Sequence, residues 1–488
     1  MFREIATLHT KDSDYPDRAF DLRVLRAVLD GTFYDVLPFP FHVEKSPAQE
    51  YVPLRNRRPS VRYNLSRVVV EDSVSLLFGD GRFPIIECDD PDARNTFARL
   101  VKDSSLCAVM NEAATIGSVG SAVVFLRVLA GRVFFEAQST EYLTPEWSRS
   151  APDRLERLTE RYKVVGAALR NQGYQIDDGD LGADFWFMRQ WDRTSETWFV
   201  PAPVSSPPDT AAVDEARTVR HALGFVPAVW IKNLPGGNGV DGGCTFRQAI
   251  ETQIEIDYQL SQAGRGLKYS SDPTLLIKEP AAADDGEIIR SAGNALVVSE
   301  KGDAKLLEIS GTASDAVLGY AKFLRDLALE SIHGNRSTAD RLAVAQSGKA
   351  MELMHQTLIW LADRLRISYG DHGLLSLLRM VVAVRQKVAL SFEDGPMDAI
   401  PAATRLSLHW PHWFHLTERD KLEQAQAVAA ARAAGVLSQE TAVKSVSPSY
   451  GAHDAKAELS RIASDEARAD ARIAAQAANT TATEAVPE

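Results

Sequence analysis

The sequence predicts an α+β fold, with β structure concentrated in the first half and helix dominating the second. Three observations carry this. Up to about residue 232, Val- and Phe-rich runs bounded by Gly, Pro and Asp alternate with amphipathic helical patterns. From Thr245 onward the apolar residues take the three-and-four spacing of helices, with one short β-rich interruption. Beyond residue 416 the chain is Ala-rich and carries helix-capping residues. At 488 residues the chain exceeds what one hydrophobic core supports, so two to four structural regions are expected.

In order along the chain, "AFDLRVLRAVLDG" reads as an amphipathic helix ending at Gly31, and Arg62 to Gly79 as a second helix with a Gly stop. "RFPIIEC" belongs to the apolar, β-like runs. "SAVVFLRVLAGRVFFEAQS" is a hairpin turning at Ala130-Gly131, and "DFWFMRQWDRTSETWFVP" a strand pair with a polar turn. Residues 201–219 are a Pro/Ser/Ala-rich loop or insertion, followed by the strand "FVPAVWIKN". One helix is expected from Thr245 to about Ala263, with Phe246, Ile250, Ile254 and Tyr258 on a single i+4 row and Gln, Glu and Asp opposite. Residues 266–311 read as a small β module with a hairpin turn at Lys301-Gly302-Asp303. A helix capped by Thr312 or Ser314 follows, then a loop, then a helical run of nearly forty residues interrupted by Gly370 and Gly373, where a kink is expected. Thr417 with Asp420 resembles a capping box, Gly435 supplies a stop and Ser438 a new start. Asp454 to about Gln476 is the last helix, with a disordered tail after it.

Composition narrows the function classes. A net charge of −12 argues against a general nucleic-acid coat, which needs a Lys/Arg surplus on its contact face. Three cysteines, Cys88, Cys107 and Cys244, without metal-like spacing, point to a reducing compartment and no disulfide framework. The N-terminus is charged and lacks an apolar core, so no signal peptide is expected. No apolar window is long enough to span a membrane, so a soluble protein is expected.

Several motifs imitate sites. Ser347-Gly348-Lys349 looks like the end of a phosphate loop, but Ala343 stands at the first Gly position, Ala350 replaces the Mg²⁺-binding hydroxyl, and a helix precedes it. "GNGVDG", residues 237–242, matches a dinucleotide loop, yet Pro235, Gly236 and Gly243 extend it into what reads as a flexible hinge. His409, His412 and His415 could converge on a metal only on a helix. Pro411 favours an extended chain and an aromatic core strand. "DDGDLGAD" lacks the spacing of a calcium loop and reads as a solvated turn. No catalytic residue, metal site or cofactor is assigned, and no enzymatic activity is expected.

The order of parts is more informative than any motif. The segments "NLSRVVVEDSVSLLFGDGRFPI", "GSVGSAVVFLRVLAGRVFFEAQSTEYLTPEW", "HALGFVPAVWIKNLPGG" and "AAGVLSQETAVKSV" resemble, in that sequence, segments of the portal proteins of tailed bacteriophages, and the similarity covers almost the whole chain. The resemblance implies a portal fold with a β-containing wing and clip and a helical stem and crown. The wing would comprise 1–244, stem helices 245–265 and 312–333, the clip 266–311, and a tunnel loop 334–348. A long kinked helix with the rest of the wing would follow over 349–415, the crown over 416–476 and a tail over 477–488. It implies a homo-oligomeric ring, usually a dodecamer, at the portal vertex of the virion capsid, made in the host cytoplasm. Double-stranded DNA would pass through it during packaging and ejection. Its partners would be the large terminase subunit, a head–tail adaptor, and the major capsid and scaffolding proteins, with no membrane.

On that resemblance, Arg336, Arg341 and Lys349 are the candidate DNA-contacting residues of the tunnel loop. For the arginines, loop solvation or an intersubunit salt bridge is the alternative. Glu251, Glu255 and Asp257 are the candidate acidic face lining the channel. Twelve chains of −12 carry a formal −144, and acidic walls would let duplex DNA slide without sticking. Two competing readings are a nucleotide-dependent enzyme, which would show a nucleotide-dependent thermal shift, and a non-catalytic helical adaptor or scaffold, which would sediment near 53.5 kDa.

Overall fold

A computed structural model describes residues 1–79, 81–206, 211–271, 274–280, 298–307, 312–334, 348–414, 417–452 and 455–483. They fall in two compact units, one drawn from 1–334 and 357–411, the other from 348–356 and 412–483. The segment 349–415, expected as one piece, is therefore shared between the two. Helix and strand mix throughout the first unit, and the fold class is α+β.

In the first unit, helix α1 (Asp17–Asp30) buries Leu22, Leu25, Val28 and Leu29 and stops at Gly31, as its pattern predicts. Helix α2 (Leu65–Phe78) starts at Asn64, whose side chain accepts the Arg67 N–H at 3.1 Å. Strand β1 (Ile85–Cys88) leads to helices α3 (Pro91–Asp103) and α4 (Leu106–Gly117). Helix α4 buries Leu106, Met110 and Ala113. Among the described residues no helix is long and apolar enough to cross a membrane. Cys88, Cys107 and Cys244 form no disulfide.

Strands β2 (Ser121–Leu129) and β3 (Arg132–Ser139) form the expected hairpin. Ala130 and Gly131 turn it with φ of 50° and 81°, the two-residue left-handed geometry that matches the twist of the flanking strands. Strands β4 (Leu143–Trp147), β5 (Leu155–Val165), β6 (Asp184–Trp191) and β7 (Ser195–Trp198) follow as an antiparallel meander. The Pro/Ser-rich segment and the residue after it add two-residue strands to this sheet, Ala202–Pro203 beside β6 and Val219–Arg220 beside β7. Strand β8 (Ala228–Lys232) then pairs with β2. Both sheets contribute to one core, in which Val123 and Phe125 of β2, Leu158 and Trp191 of the meander, and Trp230 of β8 are buried together. The Phe125 and Trp191 rings are 4.5 Å apart.

The "GNGVDG" loop is a correction to the sequence reading. It is not a hinge. The buried Asp241 accepts from Arg18 Nε at 2.5 Å and Nη2 at 2.8 Å, and Arg18 Nη1 also donates to the carbonyls of Thr140 and Leu143. Asn238 Oδ1 accepts the Val240 and Asp241 N–H groups, and the Trp230 indole donates to the Val240 carbonyl at 2.9 Å. The glycines let the loop fold onto itself rather than loosen it.

Helices α5 (Ile250–Ser271) and α6 (Thr312–Ser331) flank the strand pair β9 (Thr274–Pro280) and β10 (Val298–Leu307). The run after Lys349 is helical as α7 (Gly348–Met354) and α8 (Gln356–Leu365). It then widens into a π-helical segment at Arg366–Leu374 before α9 (Leu375–Arg385). The irregularity falls where Gly370 and Gly373 predict it. Both glycines allow close packing there: a side chain on Gly370 would run into the Trp410 ring, and one on Gly373 would sit 2.7 Å from Ile231 Cδ1. Strand β11 (Leu406–His409) pairs with β1. His409 ends it, exposed, and Trp410 turns inward against Phe78 at 6.0 Å. The aromatic core strand is thus realised only in part. His415 lies outside the described residues.

In the second unit, α10 (Glu418–Ala433) begins with the Thr417–Asp420 capping box, Gly435 follows its end, and Ser438 caps α11 (Gln439–Val446). Helix α12 (Ala455–Thr483) runs past Gln476 into the segment expected to be a disordered tail. Residues 484–488 of that tail lie outside the described residues.

Candidate functional site: a helix–hairpin–helix anchored by a buried carboxylate

Phe246, Ile250, Ile254 and Tyr258, the predicted i+4 row, are all buried. Ala249 and Ile256 join them, so the inward face is broader than one row. A 3₁₀ turn at Arg247–Ala249 leads into α5, and α5 continues to Ser271, past the expected end near residue 265. The module that follows therefore starts later than residue 266. Strands β9 and β10 pair antiparallel from Thr274↔Leu307 to Lys278↔Asp303, and the register then shifts to Pro280↔Val298. Lys301-Gly302-Asp303 thus lies inside β10 and is not the hairpin turn expected there. Pairing with the distant 274–280 segment overrode the local turn preference, and Gly302 falls in the irregular stretch of the ladder, a usual place for glycine in a strand. The connection between the strands lies outside the described residues. Helix α6 returns and packs against α5.

The polar side of α5 clamps the helix to the N-terminal segments. Asp257 is buried, 1% exposed. Its Oδ2 accepts from the Tyr34 hydroxyl and its Oδ1 from the Tyr63 N–H, both at 2.7 Å. Burial pushes its pKa up to about 7, against the opposing pull of the two donors and of Arg62. The Tyr34 phenol is pushed up as well, by burial first and by the Asp257 charge next. Around this pair, Gln253 Oε1 accepts from the Ser66 N–H and hydroxyl, Tyr258 donates to the Arg57 carbonyl at 2.8 Å, and Ser261 Oγ accepts the Val61 N–H at 3.0 Å.

This corrects the expected acidic face. Glu251 is exposed and accepts the Phe2 N–H, and Glu255 is half-buried and accepts from Gln259. Asp257 faces the core. At 3.6 residues per turn, 251 and 255 are about 40° apart around the helix, whereas 257 is about 120° from 251 and about 160° from 255. Arg336 and Arg341 lie outside the described residues. Lys349 is on α7, and its side chain is likewise outside them. Among the described residues no group of three or more His, Cys, Asp or Glu is placed to hold a metal. The Asp stretch from residue 177 is an exposed 3₁₀ turn at Asp178–Asp180, and its last member, Asp184, begins β6.

Two features escaped the sequence reading. Tyr34 and Asp257 are 223 positions apart, as are Arg18 and Asp241, so no local pattern could have paired them. The other is the outer side of α6, where Tyr320, Phe323 and Leu327 are exposed at three-and-four spacing while Ala321, Ala328 and Leu329 are buried. That stripe was legible as periodicity; its exposure was not.

No family model matches the chain, and a search of curated proteins returns no match.

Proposed function

We propose that the chain is a subunit of a portal-type ring at a capsid vertex, a channel for double-stranded DNA during packaging and ejection. In this reading the β9–β10 hairpin is where the large terminase subunit docks and a head–tail adaptor later replaces it. Capsid and scaffolding proteins surround the ring. The observation that carries the reading is the helix–hairpin–helix unit whose α6 presents Tyr320, Phe323 and Leu327 to the outside, with Phe323 58% exposed. A large apolar side chain left in water forgoes roughly 1.5–3 kcal/mol of burial. A three-residue stripe of them on a helix is what an interface between chains requires. A ring satisfies it with a heterologous contact, the α6 face of one subunit meeting a different face of the next. The second unit agrees with this. Among its described residues Ala442 is the only buried side chain, so its helices have little core of their own.

Sedimentation velocity and negative-stain imaging test the proposal. Rings are expected for the native chain, and Phe323→Glu is expected to shift the population to monomer while leaving the helical signal intact. Monomer alone, across protein concentration and salt, refutes it. Replacing 274–307 by a Gly/Ser linker then separates docking from assembly: intact rings that bind terminase undiminished refute the hairpin's role.

A further inference from the structure

The segment 39–62 lies along α5 and leaves a cleft beside it. The Phe41 ring packs tilted against that of Tyr258, centroids 6.5 Å apart, and Tyr258 and Ser261 hold the backbone at Arg57 and Val61. The opening has a volume of about 600 Å³. Its walls carry Arg58 and Arg62 from the segment, Arg265 and Lys268 from the last turns of α5, and His42. Among the described residues no Asp or Glu lines it. Four permanent cations around one opening are anomalous in a chain of net charge −12.

Their partners make the anomaly sharper. Arg62 reaches out to Asp35 at 2.9 Å, and Arg265 pairs with Glu44. Arg58 and Lys268 have no carboxylate partner among the described residues. Like charges held together without counter-ions repel. A site that keeps them is one at which an anion offsets the repulsion. The remaining walls fit more than an isolated ion. Phe41 and Pro59 supply apolar surface, Ser60 and Ser261 supply hydroxyls, and the volume is that of a small-molecule site. Arginine forks match phosphate oxygens in pairs, with lysine acting as a point charge. In sequence the signal is the run "RNRRPSVR", four arginines in residues 55–62, but Arg57 turns inward to the Val52 carbonyl, so only the fold shows which of them meet α5.

We propose that this cleft binds a phosphate group, carried either by a nucleotide or by a nucleic-acid backbone. The proposal stands apart from the ring reading and holds for a monomer as well. Gly264 offers a direct probe. It lines the cleft, and a Cβ there would meet nothing within 4 Å, so a larger side chain such as that of Gly264→Phe can start from this position without a clash at its Cβ.

The experiment titrates the full chain with ATP and pyrophosphate by calorimetry, and with a short DNA duplex by fluorescence anisotropy. Arg58→Ala with Lys268→Ala removes two cations that form no ion pair among the described residues, and Gly264→Phe places a ring at the opening with all charges kept. Circular dichroism confirms that both are folded. At least one probe is expected to bind, with affinity that falls as salt rises, and to weaken about tenfold or more in both variants. Binding of ATP and pyrophosphate identifies a nucleotide as the source, and binding of the duplex alone identifies a backbone. The proposal is overturned if no probe binds, if the double variant binds as the native chain does, or if binding survives Gly264→Phe. Survival in Gly264→Phe would mean charge attraction to the surface and no cleft.

Discussion

Asp257 gives the sharpest test of how the helix–hairpin–helix unit is anchored. Its pKa is raised from 3.8 to about 7, chiefly by burial. A carboxyl held this way binds its proton more tightly in the folded chain than in the unfolded one. The stability it contributes is fully present below about pH 3.8 and is lost as the pH rises through about 7. At about 1.4 kcal/mol per pKa unit the whole effect is about 4 kcal/mol, of which about 2–3 kcal/mol falls between pH 5 and pH 8. Asp257→Asn imitates the protonated acid. Its Oδ1 can still accept the Tyr63 N–H, and its Nδ2 can donate to the Tyr34 oxygen. Denaturant unfolding of both proteins at pH 5 and pH 8 cancels every other titration. The variant is expected within about 1 kcal/mol of the native chain at pH 5 and more stable by about 2–3 kcal/mol at pH 8. Parallel pH profiles, or a variant that is the less stable at pH 8, refute the reasoning, because they mean that the carboxylate is held ionised by Tyr34, Tyr63 and Arg62. Asp257→Ala serves as the contrast. It leaves the Tyr34 hydroxyl and the Tyr63 N–H without their acceptor, at roughly 1–3 kcal/mol each, at any pH.

Two further perturbations follow from the packing of the first unit. Arg18→Ala strands Asp241, which is 5% exposed, and is expected to cost roughly 3–5 kcal/mol, read as a lowered unfolding midpoint. Arg18→Ala with Asp241→Asn should recover part of that loss, and no recovery would argue against the ion pair as the cause. Gly373→Ala places a methyl 2.7 Å from Ile231 Cδ1 and is expected to destabilise by roughly 1–3 kcal/mol, measured by thermal unfolding. An alanine there that stabilises the helix would show that the π segment tolerates the methyl and that Ile231 yields.

Much of the fold was legible in the residues themselves. The helix ending at Gly31, the hairpin turning at Ala130-Gly131, the Phe246–Tyr258 row and the Thr417–Asp420 capping box are written in spacings of a few residues, because their determinants are backbone geometry and hydrogen bonds within one or two turns. What local pattern could not decide is which of two compatible local structures the rest of the chain selects. "GNGVDG" has the composition of a flexible linker, yet Arg18 and Trp230, both supplied by other segments, make it a fixed loop. Lys301-Gly302-Asp303 has the composition of a turn, yet residues 274–280 drew it into a strand. Asp257 has the composition of a solvent-facing acid, yet Tyr34 and Tyr63 bury it. The sequence by itself determined the α+β class, the element order and most caps. The tertiary structure alone decided the burial of Asp257, the exposure of the α6 stripe and the gathering of cations beside α5. Those depend on contacts between residues as many as 223 positions apart, whose free energy exists only once the chain has folded.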